Sequence, residues 1–210
     1  MPRSLRDYPL IALNPEQPDG RVDFTHVFGR TGTVHIEIGI GRGTFLLNEA
    51  IGHPEVDFLG IELASRYYRH SVDRMGRHGL GNVRIVRTEA AYFLTEMVRD
   101  SSVDCFHIYF PDPWPKKRHH KRRFINQTNL EQLLRCLKNN GLIKIVTDHA
   151  GYFEQIEQVI AAHSRQLAKT DFLPAGNSAD GEWVGTNFER KYRKENRQIF
   201  CLAVIKTGLG

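Results

Sequence analysis

No stretch of this chain approaches the roughly 18 consecutive apolar residues that a membrane-spanning helix requires, so no membrane association is expected. The opening residues, M-P-R-S-L-R-D-Y, carry no apolar core of the kind a secretory leader needs. Cysteine is scarce: Cys105, Cys136 and Cys201 are the whole set, and no C-x-x-C occurs. An odd, dispersed set, each member within an apolar stretch, excludes a disulfide framework and reads as buried free thiols in a reducing compartment. The cytoplasm is the expected location, and no bound metal is expected. Internal repeats are absent, and so is low complexity beyond one basic run. The 210 residues are 40% hydrophobic and 25% charged, which excludes global disorder and fits one α/β domain.

What is present is a regular alternation. Strands are expected at 34–39, 56–61, 82–87, 103–110, 142–147 and 197–206, short β-branched and aromatic runs bounded by Gly, Pro or Asp. Helices are expected between them. Over 129–138, Thr128 and Glu131 have the spacing of a capping box, Leu130, Leu133, Leu134 and Leu137 form one stripe, and Asn139-Asn140-Gly141 stops the run. A second helix is expected over 152–163, with Phe153, Ile156, Val159 and Ile160 inward. Such alternation implies a mostly parallel sheet with helices on both faces. Residues 1–30 read as an irregular N-terminal arm, 31–210 as one domain, and 171–187 as a long loop of the functional or mobile kind.

The first strand runs into E37-I-G-I-G-R-G43. Gly39 and Gly41 let the backbone turn sharply against a ligand at the carboxyl end of that strand. The turn alone would serve a dinucleotide, a nucleotide or S-adenosylmethionine. The dinucleotide fingerprint G-x-G-x-x-G would need glycine where Thr44 stands. Glu37 would oppose a pyrophosphate but suits a ligand carrying an ammonium and a sulfonium. S-adenosylmethionine is therefore favoured over a nicotinamide cofactor. Glu62, ending the second strand, can accept both hydroxyl hydrogens of a ribose, or is simply a solvated strand-end acid. Glu89, after the third, can meet an adenine amino group or act as a first-turn helix acid.

The fourth strand ends in F110-P-D-P-W-P-K116. Prolines on both sides stiffen the loop around Asp112, and one carboxylate can accept both donors of a guanine Watson–Crick edge. Asp148, ending the fifth strand, is a second candidate. The segment 115–123, P-K-K-R-H-H-K-R-R, holds six Lys or Arg and no acid; net charge is +5, so the remainder sits at −1. Local basicity of this density points to an anionic polymer approaching one face, and gives affinity rather than sequence choice. Residues 188–197 interleave Phe188 and Tyr192 with five cations, as an RNA-stacking surface or as the charged face of a strand entry.

These strings together, E-I-G-I-G-R-G, F-L-G-I-E, F-P-D-P-W-P-K-K-R-H-H-K-R-R, V-T-D and T-N-F-E, resemble the bacterial tRNA (guanine-N7)-methyltransferase family, in order from about 34 to 206. The resemblance implies a class I (Rossmann-like) methyltransferase fold whose last strand is antiparallel. It implies methyl transfer from S-adenosylmethionine to N7 of a variable-loop guanine in tRNA. Carried over by motif, Glu37, Glu62, Glu89 and Asp112 look like cofactor-binding positions, with Gly39 and Gly41 in the turn. Asp112 also looks like the catalytic acid. Lys116, Asp148, Thr186, Asn187, Phe188 and Glu189 look like substrate-binding positions. Arg118, His119, His120, Lys121, Arg122 and Arg123 resemble the RNA-contacting segment. The chain departs from the family at Glu89, where Asp or Asn is usual, at Pro115, where His is frequent, and at T-N-F-E for the commoner T-K-F-E. The resemblance leaves a monomer or a homodimer equally open. Two rivals remain: a class I enzyme on another RNA or DNA base, and a non-catalytic RNA-binding protein, which would gain nothing from the aligned acids.

Overall fold

The computed structural model describes residues 4–14, 20–176, 178–179 and 181–208. Parts of the expected arm and of the 171–187 loop lie outside the described residues. The elements run β1 (Ala12–Leu13), α1 (Phe24–Phe28), β2 (Thr33–Ile38), α2 (Thr44–Gly52), β3 (Val56–Ile61), α3 (Ser65–Arg77), β4 (Val83–Val86) and α4 (Ala90–Tyr92), which continues as a π-helical turn over Phe93–Met97. Then follow β5 (Val103–Tyr109), a 3-10 turn (Lys117–Arg122), α5 (Gln127–Cys136), β6 (Leu137–Thr147), α6 (Ala150–Ala161), β7 (Leu167–Thr170), α7 (Asn187–Lys194) and β8 (Phe200–Lys206).

One sheet takes the order β1-β4-β3-β2-β5-β6-β8-β7. It is parallel from β1 to β6, and β8 pairs antiparallel with both β6 and β7. The expected α/β class, with an antiparallel last strand, is the observed one. The chain steps one way from β2 to β3 and the other way to β5, so strand order reverses at the β2/β5 boundary. Ligands of such sheets bind outside the carboxyl ends of the strands at that point.

The parallel strands are buried on both faces, which is why they read as near-continuous apolar runs. Val34, Ile36 and Ile38 of β2 join Leu130, Leu133 and Leu134 of α5 and Ile156 of α6 in one core. Phe58 of β3 meets Leu46 and Leu47 of α2 and Val72 and Met75 of α3 in a second. Each fully buried leucine contributes about 1.5–3 kcal/mol.

Several boundaries differ from the expectation. The cap of α5 is Asn126, whose Oδ1 accepts from the Asn129 amide at 3.0 Å, so Thr128 and Glu131 do not form the box. Asn is as good a cap as Thr, and the one further upstream starts the helix. Leu137 leaves the helical stripe for β6, pairing with Val103. The arm is partly built in: Ile11, Val22 and Phe24 are buried, and β1 adds to the edge at β4. The short β1 and β7 gave no readable period. Residues 188–194, read as a stacking surface or strand entry, belong to a helix.

Candidate functional site

The turn after β2 is shaped by conformation as much as by space. Gly39 has φ 77° and Gly43 φ 64°, the left-handed region that favours glycine. A Cβ on Gly43 would lie 2.9 Å from Met75 Cε and 3.0 Å from Ser71 Oγ, so α3 packs directly on the turn. Ser71 Oγ donates to the Gly41 carbonyl at 3.1 Å. Glu62 ties the same turn to the end of β3, accepting from the Gly41 amide at 2.9 Å and the Ala64 amide at 2.8 Å. A carboxylate accepts about four hydrogen bonds, so two of its sites remain.

A cavity of about 270 Å³ opens beside this turn, walled by Glu37, Phe45, Tyr109, Phe110, Asn187 and Phe188 among others. Glu37 is 4% exposed, and its Oε2 has no hydrogen-bond partner. Burial, then the neighbouring Glu62 and Glu49 carboxylates, push its carboxyl well above the ordinary range. A buried acid kept unsatisfied in the wall of a cavity fits a cationic ligand group. The donor set therefore suits the ammonium and sulfonium of S-adenosylmethionine.

Behind Tyr109 lies a row of polar side chains that the sequence reading did not single out. The Tyr109 hydroxyl is 2.7 Å from His107 Nδ1, and His107 Nε2 is 3.2 Å from His35 Nδ1. Burial holds both imidazoles neutral, His35 being lowered to about 4 and His107 well below its ordinary value. Cys105 completes a group whose ligand atoms lie within 4.8 Å of one another, and burial pushes its thiol to about 12. The histidine nitrogens that face each other are hydrogen-bonded, and the row fixes the Tyr109 ring against Phe45 at a centroid distance of 4.8 Å. The alternation of His107 and Tyr109 on one face of β5 was the available signal.

The cavity widens into an outer chamber of about 600 Å³, bounded by Glu62, Leu63, Tyr67, Asp112, Trp114 and Arg122 among others. Phe110 (φ 50°) and Trp114 (φ 41°) flank the Asp112 segment in the left-handed region, at about 1–3 kcal/mol of backbone strain each. Arg123 holds that conformation. It is 2% exposed and donates to the Pro113 carbonyl at 2.8 Å, the Gly151 carbonyl at 3.0 Å and Gln155 Oε1 at 2.8 Å. Its expected role as an RNA contact is corrected: these partners make it an internal brace of the loop. Asp112 is exposed, and among the described residues its carboxylate has no hydrogen-bond or ion-pair partner.

The remaining expected positions separate. Lys116, Arg118, Lys121 and Arg122 are exposed and His119 and His120 half-buried; Arg122 lies over the Trp114 ring at 4.9 Å. Glu89 caps α4, accepting from the Ala91 and Tyr92 amides at 3.1 and 2.8 Å, which accounts for an acid there. Asp148 is ion-paired through Oδ2 with Arg197 at 2.8 Å. Thr186 caps α7 through the Glu189 amide at 3.0 Å. Asn187 Nδ2 donates to Thr44 Oγ1 at 3.0 Å, and Arg74 Nη1 donates to the same oxygen. Phe188, 49% exposed, lies over the turn, 4.0 Å from a Gly41 Cβ position.

Glu189 is fully buried and accepts from the Trp183, Val184 and Gly185 amides at 2.6, 2.8 and 2.9 Å and from Arg193 Nε at 3.0 Å. Its expected contact with substrate is corrected: it organises the loop that places Phe188. The T186-N-F-E189 spacing is that of a capping box and could have shown the helix. Glu189→Gln is expected to cost about 1.5–3 kcal/mol locally, the range for hydrogen bonds to a charged group. Amide exchange at Val184 and Gly185 should accelerate while β2 and β5 keep their protection.

Switch-point cleft, glycine turn and unsatisfied Glu37 together define an S-adenosylmethionine-dependent methyltransferase. The family model described as "Putative methyltransferase" matches residues 31–202. The tRNA (guanine-N(7)-)-methyltransferase of Alkalilimnicola ehrlichii is 35% identical over 93% of this chain and 81% of its own length. That of Streptococcus thermophilus is 30% identical over 90% and 87%. The chain belongs to the tRNA (guanine-N(7)-)-methyltransferase family. Its fold is shared with a 30S ribosomal A1408 methyltransferase from an uncultured bacterium (TM-score 0.59, 15% identity, 89% of this chain and 95% of that one). It is also shared with a SAM dependent methyltransferase from Aquifex aeolicus (TM-score 0.54, 13% identity, 87% and 86%). No helix among the described residues is long and apolar enough to cross a membrane.

Proposed function

We propose that this chain transfers a methyl group from S-adenosylmethionine to N7 of a guanine in the variable loop of tRNA. The observation that carries the reading is one continuous cleft. Its inner end holds Glu37 beside the glycine turn, and its outer end holds Asp112 and Trp114 at the edge of the cationic turn. S-adenosylmethionine, when bound, supplies a methyl carbon on a positively charged sulfur. Glu37 offers that ligand a counter-charge, and Glu62 keeps two acceptor sites for ribose hydroxyls.

Guanine N7 carries an in-plane lone pair and no proton, so no base is required to create the nucleophile. As the nitrogen–carbon bond forms and the carbon–sulfur bond breaks, positive charge passes to the guanine ring. Placement and electrostatics then carry the rate. Asp112 accepts from the N1–H and 2-amino donors and offsets that charge. Trp114 replaces the stacking partner that an extruded base loses, a cost of a few kcal/mol. Lys116, Arg118, His119, His120, Lys121 and Arg122 hold phosphates nearby.

The test is methyl transfer from labelled S-adenosylmethionine to two tRNA transcripts, one with its variable-loop guanine and one with adenine there. Label should enter only the first and be recovered as N7-methylguanine. Equal labelling of both would overturn the site of modification.

A further inference from the structure

Among the described residues several arginines are neutralised in place: Arg30 by Asp57, Arg77 by Asp73, Arg135 by Asp100, Arg190 by Glu182 and Arg197 by Asp148. The cations of the Lys117–Arg122 turn have no such ion pair. A second unpaired group lies in the glycine turn and on α3, the helix whose Tyr67 lines the cleft. Arg66 and Arg69 sit three residues apart on α3 and are exposed, as are Arg42 in the glycine turn and Arg87 after β4. Among the described residues none of these four guanidinium groups is ion-paired. Between Leu63 and His78 the one acid is Asp73, which is 4% exposed and engaged by Arg77 and by the Arg6 amide at 3.0 Å.

On the first two turns of α3, Arg66, Tyr67 and Arg69 are exposed. At the far end of the helix the N-terminal segment packs closely, and a Cβ on Gly76 would run into the Tyr8 ring. The inward face is spent on Ser71, Val72 and Met75 against the turn and the core. Tyr67, 38% exposed, lines both chambers, and Leu63 beside it is 62% exposed. The outer chamber is thus bounded by Leu63, Ala64 and Tyr67 on the β3 side and by Lys121 and Arg122 on the β5 side. Cations clustered this way repel one another and are retained at a cost unless an anion joins them.

We propose that Arg42, Arg66 and Arg69 form a second phosphate-binding wall, so that the RNA backbone spans the cleft between α3 and the Lys117–Arg122 turn. The inference rests on the tRNA reading above and adds where the strand leaves the pocket. A base drawn into the chamber has phosphates on both its 5′ and 3′ sides, and a single cationic wall would hold only one. Two walls straddling the chamber hold both and present the base between Tyr67 and Trp114. These contacts carry affinity and placement, not base choice.

The test compares R66A/R69A with R165A/K169A, which removes the same charge at the far edge of the sheet, using tRNA binding across a salt series. R66A/R69A should weaken tRNA binding about tenfold and lower the slope of log K against log salt by about two. The KM for tRNA should rise in step, with kcat at saturating tRNA and affinity for S-adenosylhomocysteine unchanged. R165A/K169A should bind tRNA as the unaltered protein does. Equal losses in both variants, or an unchanged slope in R66A/R69A, would overturn the second wall while leaving the tRNA reading intact. Absence of tRNA binding by the unaltered protein would overturn both.

Discussion

Glu37→Gln is expected to weaken cofactor binding sharply and at the same time to stabilise the free protein. The carboxyl is buried, one of its oxygens is unpartnered, and it faces Glu62 and Glu49. Its proton is therefore held above the ordinary carboxyl range in the folded state and released at that range in the unfolded state. Between those limits the native state binds more protons, so the free protein loses stability as pH rises from the ordinary carboxyl value to the raised one. Above it the loss is constant. Glutamine has no such proton to lose, so its advantage grows across that window; each kcal/mol appears as about 2–4 °C in Tm. Binding runs the other way. An ammonium ligand selects the ionised carboxylate, so uptake of S-adenosylmethionine expels a proton and affinity rises with pH through the same window. Removing one partner of a buried charge pair costs about 2–5 kcal/mol. Glu37→Gln should accordingly lower affinity at least about thirty-fold and flatten the pH dependence. Calorimetry of S-adenosylhomocysteine binding in two buffers of different ionisation enthalpy reads the proton directly. A variant that binds normally, or release of no proton by the unaltered protein, would show that Glu37 is not the counter-charge.

The same residue shows why part of the site was legible. An acid before a glycine turn at a strand end is a local pattern, and so are Glu62 and the P-D-P-W string; all three line one cleft. Roles set by distant partners were not legible. Arg123 reads as the last of six cations, yet its guanidinium is consumed by Pro113, Gly151 and Gln155. Glu189 reads as a binding acid, yet three amides and Arg193 take it. In each case tertiary hydrogen bonding overrides what charge density suggests. The fold followed the same division. Long buried strands announced themselves by composition, whereas the start of α5 turned on which of several capping residues the packing selected. The helix α7 was obscured by its polarity, because a helix held by its cap and by Glu189 needs no wide apolar stripe.

Asp112 tests the chemistry rather than the binding. Asp112→Asn preserves the loop, since the strained residues are Phe110 and Trp114 and the brace is Arg123 acting on the Pro113 carbonyl. What changes is the far end of the side chain. A carboxylate accepts from both guanine donors, whereas a carboxamide accepts with one oxygen and turns an N–H₂ toward the second. It also removes the negative charge that offsets the ring as N7 becomes cationic. The expected fall in single-turnover rate is about 10²–10³-fold, the scale of losing one preorganised electrostatic partner. Affinity for S-adenosylhomocysteine should change little, because Glu37 and Glu62 remain; a comparable loss in both would refute the division of roles. A substrate change makes the assignment specific. Inosine lacks the 2-amino group, so a transcript carrying it at the target position should react more slowly with the unaltered protein. The lost hydrogen bond to a charged group is worth about 1.5–3 kcal/mol. With Asp112→Asn that penalty should shrink toward nothing, since the contact is already gone. If inosine is penalised equally in both proteins, the base edge is read by another group and Asp112 acts only on charge.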